Sequence, residues 1–182
     1  RVTHGGVMTS VVSFQYYPAS STGAFPKARL IAGSDGALYG TTGGGGPGGE
    51  GTVFRVTTNG VMTVLASFNG ANGDQPEAAL VEGPNGSFYG TTCAGGAMGV
   101  GTVFRVSPAG ILTSLVSFDY SHGHSPRGTL FWGNDGFLYG TTSGGSDHAS
   151  SDGTIFKVTT NGNLTFLASF SYNVGVGPAG DD

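Results

Sequence analysis

Short apolar runs alternate along the chain with clusters of Gly, Asn, Asp and Ser, and the alternation returns every fifty residues. The word Tyr39-Gly40-Thr41-Thr42 recurs as Tyr89-Gly90-Thr91-Thr92 and as Tyr139-Gly140-Thr141-Thr142. A fixed period of this size marks solenoids, propellers or arrays. Ahead of each word stands an apolar segment and a turn: Leu30-Ile31-Ala32-Gly33-Ser34-Asp35-Gly36, Leu80-Val81-Glu82-Gly83-Pro84-Asn85-Gly86 and Leu130-Phe131-Trp132-Gly133-Asn134-Asp135-Gly136. Asx-Gly pairs favour the positive-φ conformations of tight hairpins, so Leu80–Glu82 and Ser87–Thr92 are predicted to pair, as are their counterparts. A Gly-rich loop follows at 43–50, 93–100 and 143–152. Third strands are predicted at 51–56, 101–106 and 153–158. A second turn is placed at Asn59-Gly60, Ala109-Gly110 and Asn161-Gly162, and fourth strands at Val61–Phe68, Ile111–Phe118 and Asn163–Phe170. β-branched and aromatic residues dominate these runs, and no stretch sustains a helical period.

The third strand, Thr-Val-Phe-Arg-Val in two copies, is apolar on both faces apart from its one cation. A strand of that kind belongs to a sheet covered on both sides. The predicted architecture is therefore all-β: four-stranded antiparallel blades of about 50 residues, stacked face to face as in a β-propeller. A parallel β-helix does not fit, because hairpin turns have no place in it. The expected division is repeat 1 at 15–68, repeat 2 at 69–118 and repeat 3 at 119–170, within a single repeat domain 1–182. Arg1–Phe14 matches Arg55–Phe68 position by position and reads as the end of a partial repeat. Residues 171–182 read as the start of another, since Gly177-Pro178-Ala179-Gly180 aligns with Ser125-Pro126-Arg127-Gly128. Three complete blades with partial ones at both ends leave open faces, so the expected partner is the chain itself, as a homo-oligomer or within a longer array. The repeated Tyr is expected between blades and the repeated Thr residues across the sheet.

Composition supports this picture and removes some functions. Gly is 36 of 182 residues, well above the usual share of ~7%, yet 37% of residues are hydrophobic, which fits a turn-rich β protein rather than a disordered one. Charged residues are 10%, the net charge is −4, and the seven Lys and Arg are scattered. That excludes the basic patch a nucleic-acid partner needs. No apolar run reaches the ~20 residues of a membrane-spanning helix. Cys93 is the single cysteine, so no intrachain disulfide forms.

The words Asp-Gly-x-Leu/Phe-Tyr-Gly-Thr-Thr, Gly-Thr-Val-Phe-Arg-Val and x-Gly-x-Leu-Thr-x-Leu-x-Ser-Phe resemble the Gloeo-Verruco, or GloVer, tandem repeat. Asp35–Thr42, Gly51–Val56 and Gly60–Phe68 carry the resemblance in the first complete copy. It implies secreted or surface-anchored bacterial proteins with many such copies, and it implies no activity, catalytic residue or cofactor. The expected localisation is extracellular.

In a meander the long 4–1 and 2–3 loops share one rim, and here they vary while the tight turns repeat. A rim of variable loops on a rigid scaffold is where binding is expected. Tyr16, Tyr17, Phe25 and Tyr120 offer aromatic faces for sugar rings. His122 and His124, with Asp119 on the same loop and Asp147-His148 on the next, offer imidazoles and carboxylates, but at no diagnostic metal spacing. The candidate ligand-binding residues are therefore Tyr16, Tyr17, Tyr120, His122, His124 and His148, with no metal and no cofactor. Cys93 stands where Gly43 and Ser143 stand in the other copies, which marks the position as structural. No nucleophile–base–acid motif and no phosphate loop occurs. The expected function is a non-enzymatic extracellular module for binding or assembly, with glycan as the candidate ligand. Self-assembly into a ring or fibre, and membership of a polysaccharide-acting enzyme, are the alternatives.

Overall fold

The computed structural model describes residues 4–14, 21–145 and 152–170. Within them lie three four-stranded antiparallel sheets and no helix. The first comprises β1 (Ile31–Ala32), β2 (Leu38–Thr42), β3 (Thr52–Val56) and β4 (Met62–Ser67). The second comprises β5 (Val81–Glu82), β6 (Phe88–Thr92), β7 (Thr102–Val106) and β8 (Leu112–Ser117). The third comprises β9 (Phe131–Trp132), β10 (Leu138–Thr142), β11 (Thr154–Val158) and β12 (Leu164–Ser169). Strand order follows the chain in every sheet, as in a propeller blade.

The Asx-Gly turns form for an identifiable reason. Ala37 N donates to Asp35 Oδ1 at 3.0 Å, Ser87 N to Asn85 Oδ1 at 3.0 Å and Phe137 N to Asp135 Oδ1 at 3.3 Å. The side chain thus mimics a backbone turn, and the following Gly supplies the positive φ, +78° at Gly36. Further along, Thr42 and Thr52 share a hydroxyl contact of 2.8 Å, repeated at Thr92–Thr102 and Thr142–Thr154. All six hydroxyl-bearing residues are buried, and the pairing satisfies groups that burial would otherwise penalise.

The core lies between sheets rather than within one. Ala37, Tyr39, Val53 and Phe68 of the first blade meet Leu80, Phe88, Phe104 and Val106 of the second. Tyr89, Val103, Val116 and Phe118 of the second meet Leu130, Leu138, Phe156 and Val158 of the third. A buried side chain of this size contributes about 1.5–3 kcal/mol. Rings mark the seams: Tyr39 stacks on Phe88 at 3.9 Å, Phe68 meets Phe104 edge-on at 5.0 Å, and Phe118 meets Phe156 at 5.2 Å. Trp132 has a role in the same scheme, tilted against Tyr89 at 5.6 Å.

Each fourth strand carries a bulge opposite the third, the register shifting between Val53 and Phe54, Val103 and Phe104, and Ile155 and Phe156. The residue skipped in the second strand of each pair is Leu65, Leu115 or Leu167. The carbonyls of Leu65 and Leu115 turn toward the next blade, so a Cβ at Gly110 would lie 2.5 Å from Leu65 O and one at Gly162 2.4 Å from Leu115 O. Residues 4–14 continue the pattern: Gly6 has φ +77°, a Cβ at Gly60 would lie 3.1 Å from Val11 O, and Phe14 sits 5.1 Å from Phe54. This segment occupies the place of a preceding blade's fourth strand.

Candidate functional site

The long-loop rim is built on one backbone device used three times. Residues Ala24, Asp74 and His124 each exchange two backbone hydrogen bonds with Gly44, Ala94 and Gly144, at 2.7–3.1 Å. The next residue, Phe25, Gln75 or Ser125, has a positive φ of 58°, 55° or 53° and precedes a proline. A left-handed non-Gly residue before proline is an uncommon conformation, held by its surroundings. Its carbonyl accepts from Gly43, Cys93 or Ser143 N within its own blade. Gln75 N reaches back to Glu50 O at 3.0 Å, and Ser125 N to Val100 O at 2.8 Å. The prolines then press on glycines of the preceding blade: a Cβ at Gly51 would lie 2.8 Å from Pro76 Cδ, and one at Gly101 2.6 Å from Pro126 Cδ.

This frame is constant, and the side chains it presents are not. Two positions beyond the left-handed residue stand Lys27, Glu77 and Arg127. Glu77 accepts from Lys27 Nζ on one side and from Arg127 Nη1, at 2.7 Å, on the other. One carboxylate thereby ties all three blades together. The hydrogen bond from Lys27, followed by the two positive charges, holds the Glu77 carboxyl below its usual range against the opposing effect of burial.

Between the first and second blades the rim opens into a cleft of about 630 Å³, lined by Ala24, Phe25, Lys27, Asp74, Gln75 and Glu77 over a floor of glycines. Phe25 is 51% exposed. Burial pushes the Asp74 carboxyl up, and the nearby Glu50 charge adds to the effect. Glu50 Oε2 is buried without a hydrogen-bond partner. Cys93 Sγ lies 3.8 Å from Gln75 Oε1, and burial raises its thiol pKa.

The candidates named from sequence fall as follows. Tyr16, Tyr17 and His148 lie outside the described residues. Tyr120, His122 and His124 share the 4–1 loop of the third blade. Tyr120 has φ 72°, and its ring packs against the His124 ring at 5.0 Å. His124 also lies over Gly144, where a Cβ would come within 2.0 Å of its ring, and its Nδ1 is 3.2 Å from Ser125 Oγ. The His122 Nδ1 contacts Ser121 Oγ at 2.6 Å and stands 3.7 Å from Asp119 Oδ1. The structure therefore joins Tyr120 to His124 and places His122 against Ser121 and Asp119. Among the described residues, no three His, Cys, Asp or Glu converge as a metal site.

Sequence reasoning did not single out Asp74, Gln75, Glu77, Lys27 or Glu50. The signal was available: x-x-Pro-x at 24–27, 74–77 and 124–127 repeats its proline while every flanking residue changes.

Stacked four-stranded meanders with a constant frame and variable rim define a β-propeller-type repeat protein. A family model described as the Gloeobacter/Verrucomicrobia repeat matches residues 1–181, and the chain belongs to that family. Among curated proteins, none matches the sequence. Similar solved structures include a gluconolactonase from Xanthomonas campestris, with a TM-score of 0.56 and 12% identity, over 82% of this chain and 49% of that one. A second is a putative gluconolactonase, with a TM-score of 0.52 and 17% identity, over 77% of this chain and 48% of that one. The chain thus spans about half the length of these structures, and at such identity the likeness shows the fold.

Proposed function

We propose that this repeat module acts outside the bacterial cell as a binding protein, and that it holds a glycan in the cleft of its long-loop rim. One observation carries the reading. The same strained backbone device presents Ala24, Asp74 and His124, then Phe25, Gln75 and Ser125, then Lys27, Glu77 and Arg127, at equivalent places. A fixed frame with varied side chains is how a scaffold separates folding from recognition. The cleft between the first two blades joins an exposed phenyl face to carboxylates, an amide and an ammonium group. Sugars ask for that mixture: an apolar ring face to stack on and hydroxyls to donate to carboxylates.

A glycan array followed by calorimetry on the full chain tests this. Binding should weaken roughly tenfold or more when Asp74→Ala removes a carboxylate of the cleft, in line with the ~1.5–3 kcal/mol of a charge-assisted hydrogen bond, and about two- to tenfold when Gln75→Ala removes a neutral amide, in line with ~0.5–1.5 kcal/mol. Tyr120→Ala tests the third-blade loop in the same assay. Binding unaffected by all three substitutions moves the site off the rim, and no binding across the array rejects the glycan.

A second reading has its own observation. Asp74 and Glu50 are neighbouring carboxylates, one of them with a raised pKa, as general acid–base pairs require. Release of reducing sugar from a bound polysaccharide, abolished by Glu50→Gln, would establish hydrolysis.

A further inference from the structure

The rim of tight turns, at the far end of the blades from the long loops, repeats its backbone and changes its side chains at two places. At the end of the first strand stand Ala32, Glu82 and Trp132, and two positions further on stand Ser34, Pro84 and Asn134. Glu82 pairs across its sheet with Phe88, and Trp132 with Leu138. Cross-strand partners share a face of the sheet. Phe88 stacks on Tyr39 of the first blade, and Leu138 packs with Tyr89 of the second. Glu82 and Trp132 therefore each face the turn of the blade before.

What they meet there differs. Ser34 offers two donors: its N donates to Glu82 Oε2 at 2.9 Å and its Oγ to Glu82 Oε1 at 2.6 Å. Pro84, at the same place in the second blade, has no N–H to give, and an indole stands opposite it in place of a carboxylate. A Cβ at Gly83 would lie 3.4 Å from Trp132 Cη2, so the ring lies close over the turn backbone. Its contact with Tyr89 does not cover it: Trp132 is half-buried, whereas Tyr89 is fully buried.

These two seams open into one cavity of about 450 Å³, lined by Ser34, Glu82, Gly83, Pro84, Gly86 and Trp132, so all three blades contribute to it. Its chemistry is one-sided. Glu82 is the charged residue of the lining, and none of the ion pairs among the described residues involves it. The Trp132 ring is the second electron-rich surface. A carboxylate and an aromatic face attract a cation together, and indole is the best ring for the purpose. Both repel an anion.

We infer that this cavity is a binding site for an organic ammonium group. Trp132 supplies the ring face, Glu82 the opposite charge, and Ser34 fixes the orientation of the carboxylate. The site lies at the opposite rim from the proposed glycan cleft and shares no residue with it, so each stands or falls separately.

Trp132 is the single tryptophan of the chain, so its emission reports on the site directly. The full chain is titrated at constant ionic strength with choline and, separately, with glucosamine. The neutral carbon isostere of choline and N-acetylglucosamine serve as uncharged counterparts. The expected result is a saturable change in emission with an ammonium ligand and binding weaker by about tenfold or more for its neutral counterpart. The tighter of the two ammonium ligands identifies the source of the group. Glu82→Gln should weaken ammonium binding by about tenfold or more. Ser34→Ala should weaken it about two- to fivefold, because the carboxylate keeps its charge and loses one of its two donors. If Glu82→Gln fails to fold, calorimetry on Trp132→Leu decides instead, with loss of ammonium binding expected. A neutral counterpart that binds as tightly overturns the inference. So does silence with both ammonium ligands, or binding that Glu82→Gln or Trp132→Leu leaves unchanged.

Discussion

At the residue scale, three equivalent tyrosines show how one substitution in a repeat leaves a trace. In the first blade Arg55 donates to Asp35 Oδ2 at 2.8 Å and to Tyr39 Oη at 3.2 Å, and Tyr39 Oη donates to Asp35 at 3.0 Å. The Arg55 guanidinium, helped by Ala37 N, holds the Asp35 carboxyl below its usual range. In the second blade Asn85 replaces the aspartate, and Arg105 Nε is buried with no partner. Asn85→Asp should therefore stabilise the protein, raising Tm by about 2–4 °C in a calorimetric scan at neutral pH. Glu77→Gln should do the opposite, costing about 1 kcal/mol for two partly exposed ion pairs. The sign with pH follows from the lowered folded-state pKa of Glu77. Its contribution is complete above the ordinary carboxylate value and is lost as pH falls through the folded value. The gap between wild type and Glu77→Gln in urea melts should close in acid.

At the scale of the element, the strands were legible in the sequence and the seams were not. Alternation, β-branched residues and Asx-Gly turns place all twelve strands within a residue or two, because each depends on local chemistry. The bulge in every fourth strand was not legible, since it answers to the neighbouring blade. Gly110 illustrates this. Its φ of +83° was expected from the turn, but the Leu65 carbonyl against its missing Cβ was not. Gly110→Ala should cost about 2–4 kcal/mol, more than a strained turn alone, because overpacking adds to the positive φ. Chemical denaturation measures that difference. The candidate site divides in the same way. Tyr120, His122 and His124 were visible as unusual residues, whereas the cleft of Lys27, Asp74, Gln75 and Glu77 consists of ordinary residues whose importance lies in a repeated left-handed turn.

For the whole molecule, stability is a sum over blade interfaces, since each sheet buries its faces only on its neighbours. Identical residues should then differ in cost according to which face they occupy. Leu80→Ala should cost about 2–5 kcal/mol, whereas Leu30→Ala, at the equivalent but open position, should cost under about 1 kcal/mol, a comparison that paired urea titrations make directly. The sequence by itself determined the all-β class, the period, the order of strands and the repeat family. Those follow from turn chemistry and from which residues cannot face water. Only the tertiary structure decided which ring covers which, that Glu77 joins three blades, and that variable residues line a cleft between the first and second blades. A residue's neighbours fifty positions away are set by how sheets stack, and stacking is not written in any one strand.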